Sequence, residues 1–166
     1  MDKRKKYLSL CISLITLSVF CFTGCGKEKT TGEESYSVNE VTAMKINADT
    51  WNTDIMVSAD ENIHIHFDGS ISNGEEKPST SLKNGVLSIT QQGNNEGLQD
   101  QISLGKKGQI TIYLPSECNI PLTLENGMGD IEIDSISTQE FSLDNSSGYA
   151  TISSVTADNM KVSSGS

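Results

Sequence analysis

The chain has 166 residues, and its 22 Asp and Glu residues outnumber its 12 Lys and Arg residues, which leaves a net charge of −10 at pH 7. This length suits one domain rather than several. The acidity makes nucleic acid a poor partner, because beyond the basic N-terminal residues the sequence has no basic footprint that could neutralise phosphates.

The N-terminal stretch, 1–25, reads as a targeting segment. Four basic residues, 3–6, precede an apolar run from Leu8 to Phe22, which is too short for a membrane span of about 20 residues. The run ends in Thr23-Gly24-Cys25, and small residues before a cysteine resemble the end of a bacterial lipoprotein signal. We therefore predict a signal peptide over residues 1–24 and lipidation at Cys25. The alternative is an ordinary signal peptide or membrane anchor.

The segment that follows Cys25 is polar. Residues 25–39 show no periodic apolar pattern and are predicted to be a tether between the lipid and a domain over residues 40–166. Eight Lys and 21 Asp or Glu residues follow Cys25, a net charge of −13 that anionic lipids would repel. The acyl chain would therefore hold the exported protein on the extracytoplasmic side of a membrane that it does not span.

Cysteine usage after the cleavage point predicts a fold without an internal disulfide. Cys25 is the predicted lipid site, so Cys118 is the one cysteine left to form a disulfide, and it has no partner within the chain. It lies between Pro115 and Pro121, and no motif places a base beside it. A buried or inert thiol is expected.

The first half of the domain alternates between apolar and polar residues, which is the strand period. Two polar stretches, 68–81 and 91–101, are predicted to be loops, and Asn84-Gly85 signals a hairpin turn. The predicted strands are Val41–Ile46, Ile55–Val57, Ile63–Phe67, Val86–Ile89 and Gln109–Leu114.

The last third of the chain is an internal repeat. The repeat is 19 residues long, and its successive copies begin at Leu122, Phe141 and Met160. The same spacing relates Leu124 to Leu143. Apolar residues two apart predict short strands, and the Asn, Gly and Ser residues between them predict turns. The register is also predicted to reach back to Ile112 and Leu114, which precede Ile131 and Ile133 by the same spacing.

One repeat buries too few apolar side chains to fold alone, so the repeats are expected to stack. The predicted fold is all-β: a parallel β-solenoid, similar to a β-helix, with two-strand rungs of about 19 residues and a less regular N-terminal half. Leu124, Ile133, Leu143 and Ile152 are predicted to share its core, with Glu132 and Asp144 exposed to solvent.

The order of several short motifs resembles the bacterial putative-adhesin β-strand-repeat family, a family of domains of unknown function. The resemblance covers residues 40–166 and implies an all-β, solenoid-like domain on an exported or membrane-attached protein, with no catalytic residue to carry over. One departure is that the chain stops after a Ser-Ser-Gly turn without a closing rung, so it is either a short product or a fragment. The motifs are Trp51–Ile55, Asn84–Ile89, Ile110–Pro115, Gly129–Ile131, Ser147-Gly148 and Ser164-Gly165.

Three features could indicate a ligand site. His64 and His66 share one strand face, but no third metal ligand is placed by the sequence, so an exposed polar face is the preferred interpretation. The turn Gly127–Asp130 resembles the turns of calcium-binding β-rolls, but it occurs once, which favours a plain turn. The aromatic residues could form a carbohydrate platform, although core or rim packing is preferred for each: Trp51, Tyr36, Tyr113 and Tyr149.

These observations leave two functional hypotheses. The first is a non-enzymatic cell-surface lipoprotein that acts as an adhesive, scaffolding or envelope-associated module, with an unknown surface protein or glycan as partner. The second is a lipoprotein that binds a small ligand or glycan through loops 68–81 and 91–101. No catalytic residue, metal site or cofactor is predicted, because neither a nucleophile–base pair nor a carboxylate constellation is present.

The C-terminal end of the repeat has no successor. Met160, Lys161 and Val162 are predicted to pair with the strand at 141–143, which leaves the outer backbone groups of this last strand unpaired. An unpaired edge is a template for another strand. This edge is therefore expected either to pair with another chain or to fray.

Overall fold

A computed structural model describes residues 28–71, 75–93 and 108–165. These residues fold into strands and one 3-10 turn, Val38–Glu40, so the fold is all-β as predicted. The predicted signal peptide and the predicted lipidation site, Cys25, lie outside the described residues. The strands are β1 Glu28–Ser37, β2 Ala43–Ala48, β3 Asn52–Val57, β4 Asn62–Ile71, β5 Ser79–Lys83, β6 Val86–Gln91, β7 Gln109–Leu114, β8 Leu122–Asn126, β9 Ile131–Asn145 and β10 Ala150–Ser164.

All ten strands belong to one curled, mixed sheet. Along it the strands follow the order β1, β4, β7, β3, β9, β8, β2, β6, β5, and β10 pairs with β9 beyond this path. Pairing is parallel among β2, β3, β6, β7, β8, β9 and β10, whereas β1 and β4, β4 and β7, and β5 and β6 pair antiparallel. The prediction of a parallel solenoid is therefore wrong for these three pairs, because the sheet is mixed; all three lie in the N-terminal half, which was predicted to be less regular.

The 19-residue register is confirmed in the C-terminal part of the sheet. Leu122 of β8 pairs with Phe141 of β9, and Phe141 pairs in turn with Met160 of β10. The second strand of one repeat continues into the first strand of the next, so that β9 and β10 each run for 15 residues. Repeats that place like residues in register can share one continuous core.

The backward extension of this register to β7 is wrong. Strand β3 lies between β7 and β9, and Ile55 of β3 pairs with Ile112 on one side and Ile133 on the other. In the same way β2 lies between β6 and β8. The rung formed by β2 and β3 comes first in the chain but sits in the middle of the stack, and sequence spacing cannot reveal such an insertion.

One hydrophobic core runs through the stack. Predicted core residues Leu124, Ile133 and Leu143 are buried, and Glu132 and Asp144 are exposed as expected. Ile152 is the exception, since 37% of its surface is exposed. It pairs with buried Ile133, but among the described strands nothing stacks on the other side of β10.

The tether prediction is wrong for most of its length. Residues Glu28–Ser37 form β1, which pairs antiparallel with β4 along ten residues. Its side chains are mostly polar, so it shows no apolar alternation. An edge strand is held largely by backbone hydrogen bonds to its neighbour, and these leave little signal in the sequence.

The predicted loop over residues 68–81 is shorter than expected. Asp68–Ile71 extend β4, and Ser79–Ser81 begin β5. The turn between β5 and β6 is the one predicted: Asn84 and Gly85 have φ values of 51° and 78°, which suit the first and second central residues of a type I′ hairpin turn. For the second predicted loop, Gln91 ends β6 and residues 94–101 lie outside the described residues.

Turns of successive repeats stack on one another as the strands do. The backbone N–H groups of Ser146 and Ser147 donate to the carbonyls of Asn126 and Gly127, at 2.9 and 2.8 Å. Inside the turns, the Asn126 amide donates to the Asn145 side-chain oxygen at 2.7 Å. This buried pair joins two repeats, and the third repeat has Ser164 at the corresponding position.

Candidate interaction surface

The outer edge of β10 is the most exposed part of the stack. Among the strands that the structure describes, β10 pairs with β9 alone, over residues 150–164. Its other edge is therefore a row of backbone N–H and C=O groups without a neighbouring strand. Such an edge can accept a further strand.

Apolar side chains accompany this edge. Met160 is 54% exposed and Val162 is 52% exposed, although their partners in β9, Phe141 and Leu143, are buried. These side chains stand at core-facing positions of the last described rung, where another rung would cover them. Together with Ile152 and the exposed ring of Tyr149, they define what we call the β10 edge: the backbone of residues 150–164 and these four side chains.

At the other end of the stack lie β1 and β5, the two strands that end the strand order, and each pairs with one neighbour among the described strands. Their side chains meet there: Tyr36 donates to Glu34 at 2.5 Å, and the hydroxyl of Thr80 on β5 donates to the same carboxylate. Burial, and then the Glu34 carboxylate, raise the pKa of Tyr36, so its hydroxyl stays protonated as a donor. The two ends of the stack therefore differ.

Each of the two histidines of β4 lies beside a carboxylate on the surface of the sheet. His64 lies 2.9 Å from Asp60, and His66 lies 3.6 Å from Glu33 and edge-on to the ring of Tyr113. The Asn62 N–H, and then His64, hold the pKa of Asp60 below its ordinary value. Across the described ranges no three His, Cys, Asp or Glu residues are grouped as metal ligands.

The Gly127–Asp130 turn has its acidic side chain engaged in the fold. The Asp130 carboxylate accepts the backbone N–H of Tyr149, one repeat later, at 3.0 Å. The Asp130 N–H in turn donates to the Asn52 side chain at 2.9 Å. The aspartate thus links stacked turns, which agrees with the interpretation of a plain structural turn.

The aromatic residues do not assemble into one platform. Trp51 is buried, with its ring against Gly69 and Gly108, while Tyr149 at the β10 edge is 83% exposed. Tyr36 and Tyr113 are partly exposed on β1 and β7. Because Trp51 lies inside the core, it does not form the floor of an open site beside the predicted loops.

The outer face of the sheet is acidic where β3 meets β9. Asp54 and Glu132 are ladder partners on these strands. The pKa of Asp54 is raised above its ordinary value, mainly by partial burial. A hydrogen bond from Gln109 acts in the opposite direction, and the nearby Glu132 carboxylate adds to the rise. Two carboxylates therefore lie side by side on this part of the outer face.

Cys118 is buried as predicted, beside a small apolar cleft that includes Met44, Leu122 and Ile136. Burial raises the pKa of its thiol to about 11. The Cys118 thiol therefore keeps its proton to a higher pH in the folded chain than in the unfolded chain, and its contribution to stability is complete below about pH 9. That contribution is lost as the pH rises toward 11.

We expect Cys118 to resist alkylation in the folded protein. A pKa of about 11 in place of the ordinary 9.0 lowers the thiolate fraction at pH 8 by about 100-fold, and burial slows the reaction further. Mass spectrometry of the Cys118 peptide after iodoacetamide treatment, with and without a denaturing concentration of urea, measures the difference. Equal labelling in both conditions would show an accessible thiol.

The described part of the chain contains no helix with the length and hydropathy of a membrane span. Its geometry is that of an all-β domain whose turns and strands stack at a 19-residue spacing and whose last described strand has an open edge. Residues 41–166 match the model of the Toastrack DUF4097 family. The chain belongs to this family.

Two solved structures have a similar fold. One is described as a putative cell adhesion protein from Clostridium sporogenes, with a TM-score of 0.51, 14% identity, and coverage of 83% of this chain and 97% of that chain. The other is described as a putative adhesin from Bacteroides fragilis, with a TM-score of 0.52, 17% identity, and coverage of 85% and 61%. These identities show likeness of fold alone. No curated protein matched the chain significantly.

Proposed function

We propose that the chain is a non-enzymatic bacterial cell-surface lipoprotein whose solenoid-like stack acts as an adhesive, scaffolding or envelope-associated module. The observation that carries this proposal is the β10 edge, where the open side of a long strand and four exposed apolar or aromatic side chains are available for contact. The descriptions of the two structural neighbours as adhesion proteins support the same assignment.

The chemistry of the described residues favours contact over catalysis. The interior is filled by apolar side chains, and the buried thiol of Cys118 is kept protonated. The two histidines pair with carboxylates on the outer face of the sheet, and neither of them lines the apolar cleft beside Cys118. An enzyme requires a concave site where a nucleophile, an acid or a base converges on the substrate.

Attachment to the membrane is the part of the proposal that rests on the sequence. The segment ending in Thr23-Gly24-Cys25 supplies a cleavage point and an acceptor for lipid, and the acidic domain would not be held by anionic lipid. We propose that lipid on Cys25 anchors the domain on the extracytoplasmic side. The partner there is a protein or glycan of the surface.

We expect Cys25→Ala to release the protein from the membrane fraction. Removal of the thiol removes the acceptor for the acyl chains, which are the proposed anchor. Cell fractionation followed by immunoblotting measures the distribution, and incorporation of a labelled fatty acid measures lipidation. Cys21→Ala, a cysteine change four positions earlier in the apolar run, is the matched control and should stay lipidated.

Persistence of the processed Cys25→Ala protein in the membrane fraction would contradict the lipid anchor. Proteolysis of intact cells provides the second measurement, because a surface domain is degraded by added protease and an internal one is protected. A protected domain in cells whose outer surface is accessible would contradict the proposed location.

A further inference from the structure

One position in the stacked turns differs between the first rung, β2 and β3, and the repeats. Ala48, Asn126 and Asn145 are ladder partners on β2, β8 and β9, and all three are buried. In the repeats this residue is an asparagine that donates to the carbonyl three residues later. Asn126 donates to Gly129 at 2.6 Å, and Asn145 donates to Gly148 at 2.9 Å. Ala48 has no side-chain donor for the turn of the first rung.

The side-chain nitrogen of Asn126 joins two turns. It donates to the Gly129 carbonyl in its own turn and, at 2.7 Å, to Asn145 Oδ1 in the turn of the next repeat. The orientation of this amide is set by its partners. The reverse orientation would place an oxygen against two carbonyl oxygens, those of Gly129 and Ser147.

The oxygen of the same amide is buried and has no hydrogen-bond partner among the described residues. Asn126 is 3% exposed, and its Oδ1 lies on the side of the first rung. A Cβ built on Gly129 would lie 3.2 Å from Asn126 Oδ1 and 2.0 Å from the carbonyl oxygen of Trp51. These two oxygens are therefore no more than about 5.2 Å apart, a span that one water can bridge with two hydrogen bonds of about 2.8 Å.

The Trp51 carbonyl occupies the place in its turn that the Gly129 carbonyl occupies in the next turn of the stack. A Cβ on Gly148 would lie 2.2 Å from the Gly129 carbonyl oxygen, just as a Cβ on Gly129 would lie 2.0 Å from that of Trp51. The Trp51 carbonyl and Asn126 Oδ1 thus form the same kind of acceptor pair as the Gly129 carbonyl and Asn145 Oδ1. The second pair shares the Asn126 nitrogen as its donor.

We propose that a water molecule is bound beside Ala48, where it donates one hydrogen to the Trp51 carbonyl and the other to Asn126 Oδ1. It takes the position that an asparagine nitrogen takes in the next turn, and it supplies the same two donors. A buried acceptor without a donor is costly, and buried waters typically bond polar groups that the protein leaves unsatisfied. Two further buried atoms of this rung, Trp51 Nε1 and Thr53 Oγ1, also lack a partner within the described ranges.

The water would link parts of the chain that are far apart in sequence. Trp51 belongs to the first rung, whereas Asn126 ends β8, and the acceptor pair forms only because the first rung is inserted beside β8 and β9. On its other side the same turn donates the N–H groups of Thr50 and Trp51 to the Gln91 side chain, at 2.9 and 3.2 Å. With the water in place, side-chain hydrogen bonds hold the inserted turn from both sides.

Transfer of magnetisation from water to methyl groups tests whether the site is occupied. The full chain is studied by NMR in a non-ionic detergent, with ¹³C-labelled alanine and isoleucine. The Ala48 methyl group should show a cross-peak with a long-lived water. The methyl groups of Ile55 are the control and should show none, because Ile55 is fully buried between the apolar ladder partners Ile112 and Ile133.

A matched pair of substitutions tests the chemistry of the site. Ala48→Asn adds the amide donor that the repeats carry, so it should displace the water and keep the urea midpoint at or above that of the wild type. Ala48→Leu adds a side chain of similar shape without a donor. Its unfolding equilibrium constant should exceed that of Ala48→Asn by about tenfold or more, because both acceptors then stay buried without a donor.

Each outcome supports or overturns the inference. A water contact at Ala48 that disappears in the Ala48→Asn protein, together with the lower stability of Ala48→Leu, is the expected result. Equal stability of the two variants would show that the acceptor pair needs no donor and would overturn the proposal. If Ala48→Asn does not fold, the wild-type spectrum decides alone, and the absence of the Ala48 cross-peak overturns the proposal. None of these results depends on lipid at Cys25 or on the β10 edge.

Discussion

Leu143→Ala is expected to lower the free energy of unfolding by about 2–5 kcal/mol. Leu143 is 1% exposed and lies in the ladder between Leu124 of β8 and Val162 of β10. Strands on both sides hold the backbone, so the site cannot collapse around a smaller side chain. The loss therefore combines the transfer of the missing methyl groups with the cost of a cavity.

Val162→Ala is the matched control for this effect. Val162 occupies the same register position one repeat later but is 52% exposed, so its truncation should cost less than about 1 kcal/mol. Urea unfolding, followed through the fluorescence of the single, buried Trp51, gives both values. A Leu143→Ala protein as stable as Val162→Ala would contradict the stacked register.

Gly148→Ala is expected to destabilise the protein by about 2 kcal/mol or more. Gly148 has a φ of 93°, a conformation that residues with a Cβ rarely adopt. A Cβ at this position would also lie 2.2 Å from the carbonyl oxygen of Gly129, in the turn of the preceding repeat. Backbone strain and a clash with backbone atoms act together, because stacked turns leave no space between repeats.

Gly32→Ala provides the control for a change that merely adds a methyl group to a strand. Its Cβ would meet only the ring of Phe67, at 3.2 Å, and a side chain can shift where backbone cannot. We expect a change within about 0.5 kcal/mol in the same urea experiment. Equal stability of the two alanine variants would show that the repeat turns are not tightly stacked.

The periodic residues made much of the stack predictable. Apolar residues two apart gave the positions of β2, β3, β4, β6 and β7 to within a few residues, and β7 has the predicted bounds, Gln109–Leu114. The 19-residue repeat predicted the pairing of β8, β9 and β10 residue by residue. Both signals work because a buried face demands an apolar side chain at every second position.

Strands at the edge of the sheet were missed. Polar residues dominate β1, and β5 was interpreted in part as a loop. These strands contribute few side chains to the core, and they are held by backbone pairing to β4 and β6. Every residue other than proline offers the same backbone donor and acceptor, so backbone pairing does not favour particular residue types and cannot be recognised in the sequence.

The surface at the β10 edge was partly foreseen. The absence of a following rung predicted an unpaired strand at 160–162, and the structure shows an unpaired edge along all of β10 among the described strands. The exposure of Ile152 was not predicted, because the repeat makes Ile152 equivalent to buried Ile133. The burial of a side chain depends on the strands on both sides of its own strand. The repeat shows only that β10 resembles β9, and it does not show whether a further strand covers β10.

By itself, then, the sequence determined the strand class, the 19-residue spacing and the residues that face the core in the last three repeats. Tertiary structure alone decided that the first rung, β2 and β3, is inserted between strands that come later in the chain. Any parallel strand with an apolar face can pair with any other, so local pattern cannot set the order of strands. That order is chosen by the packing of whole rungs against one shared core.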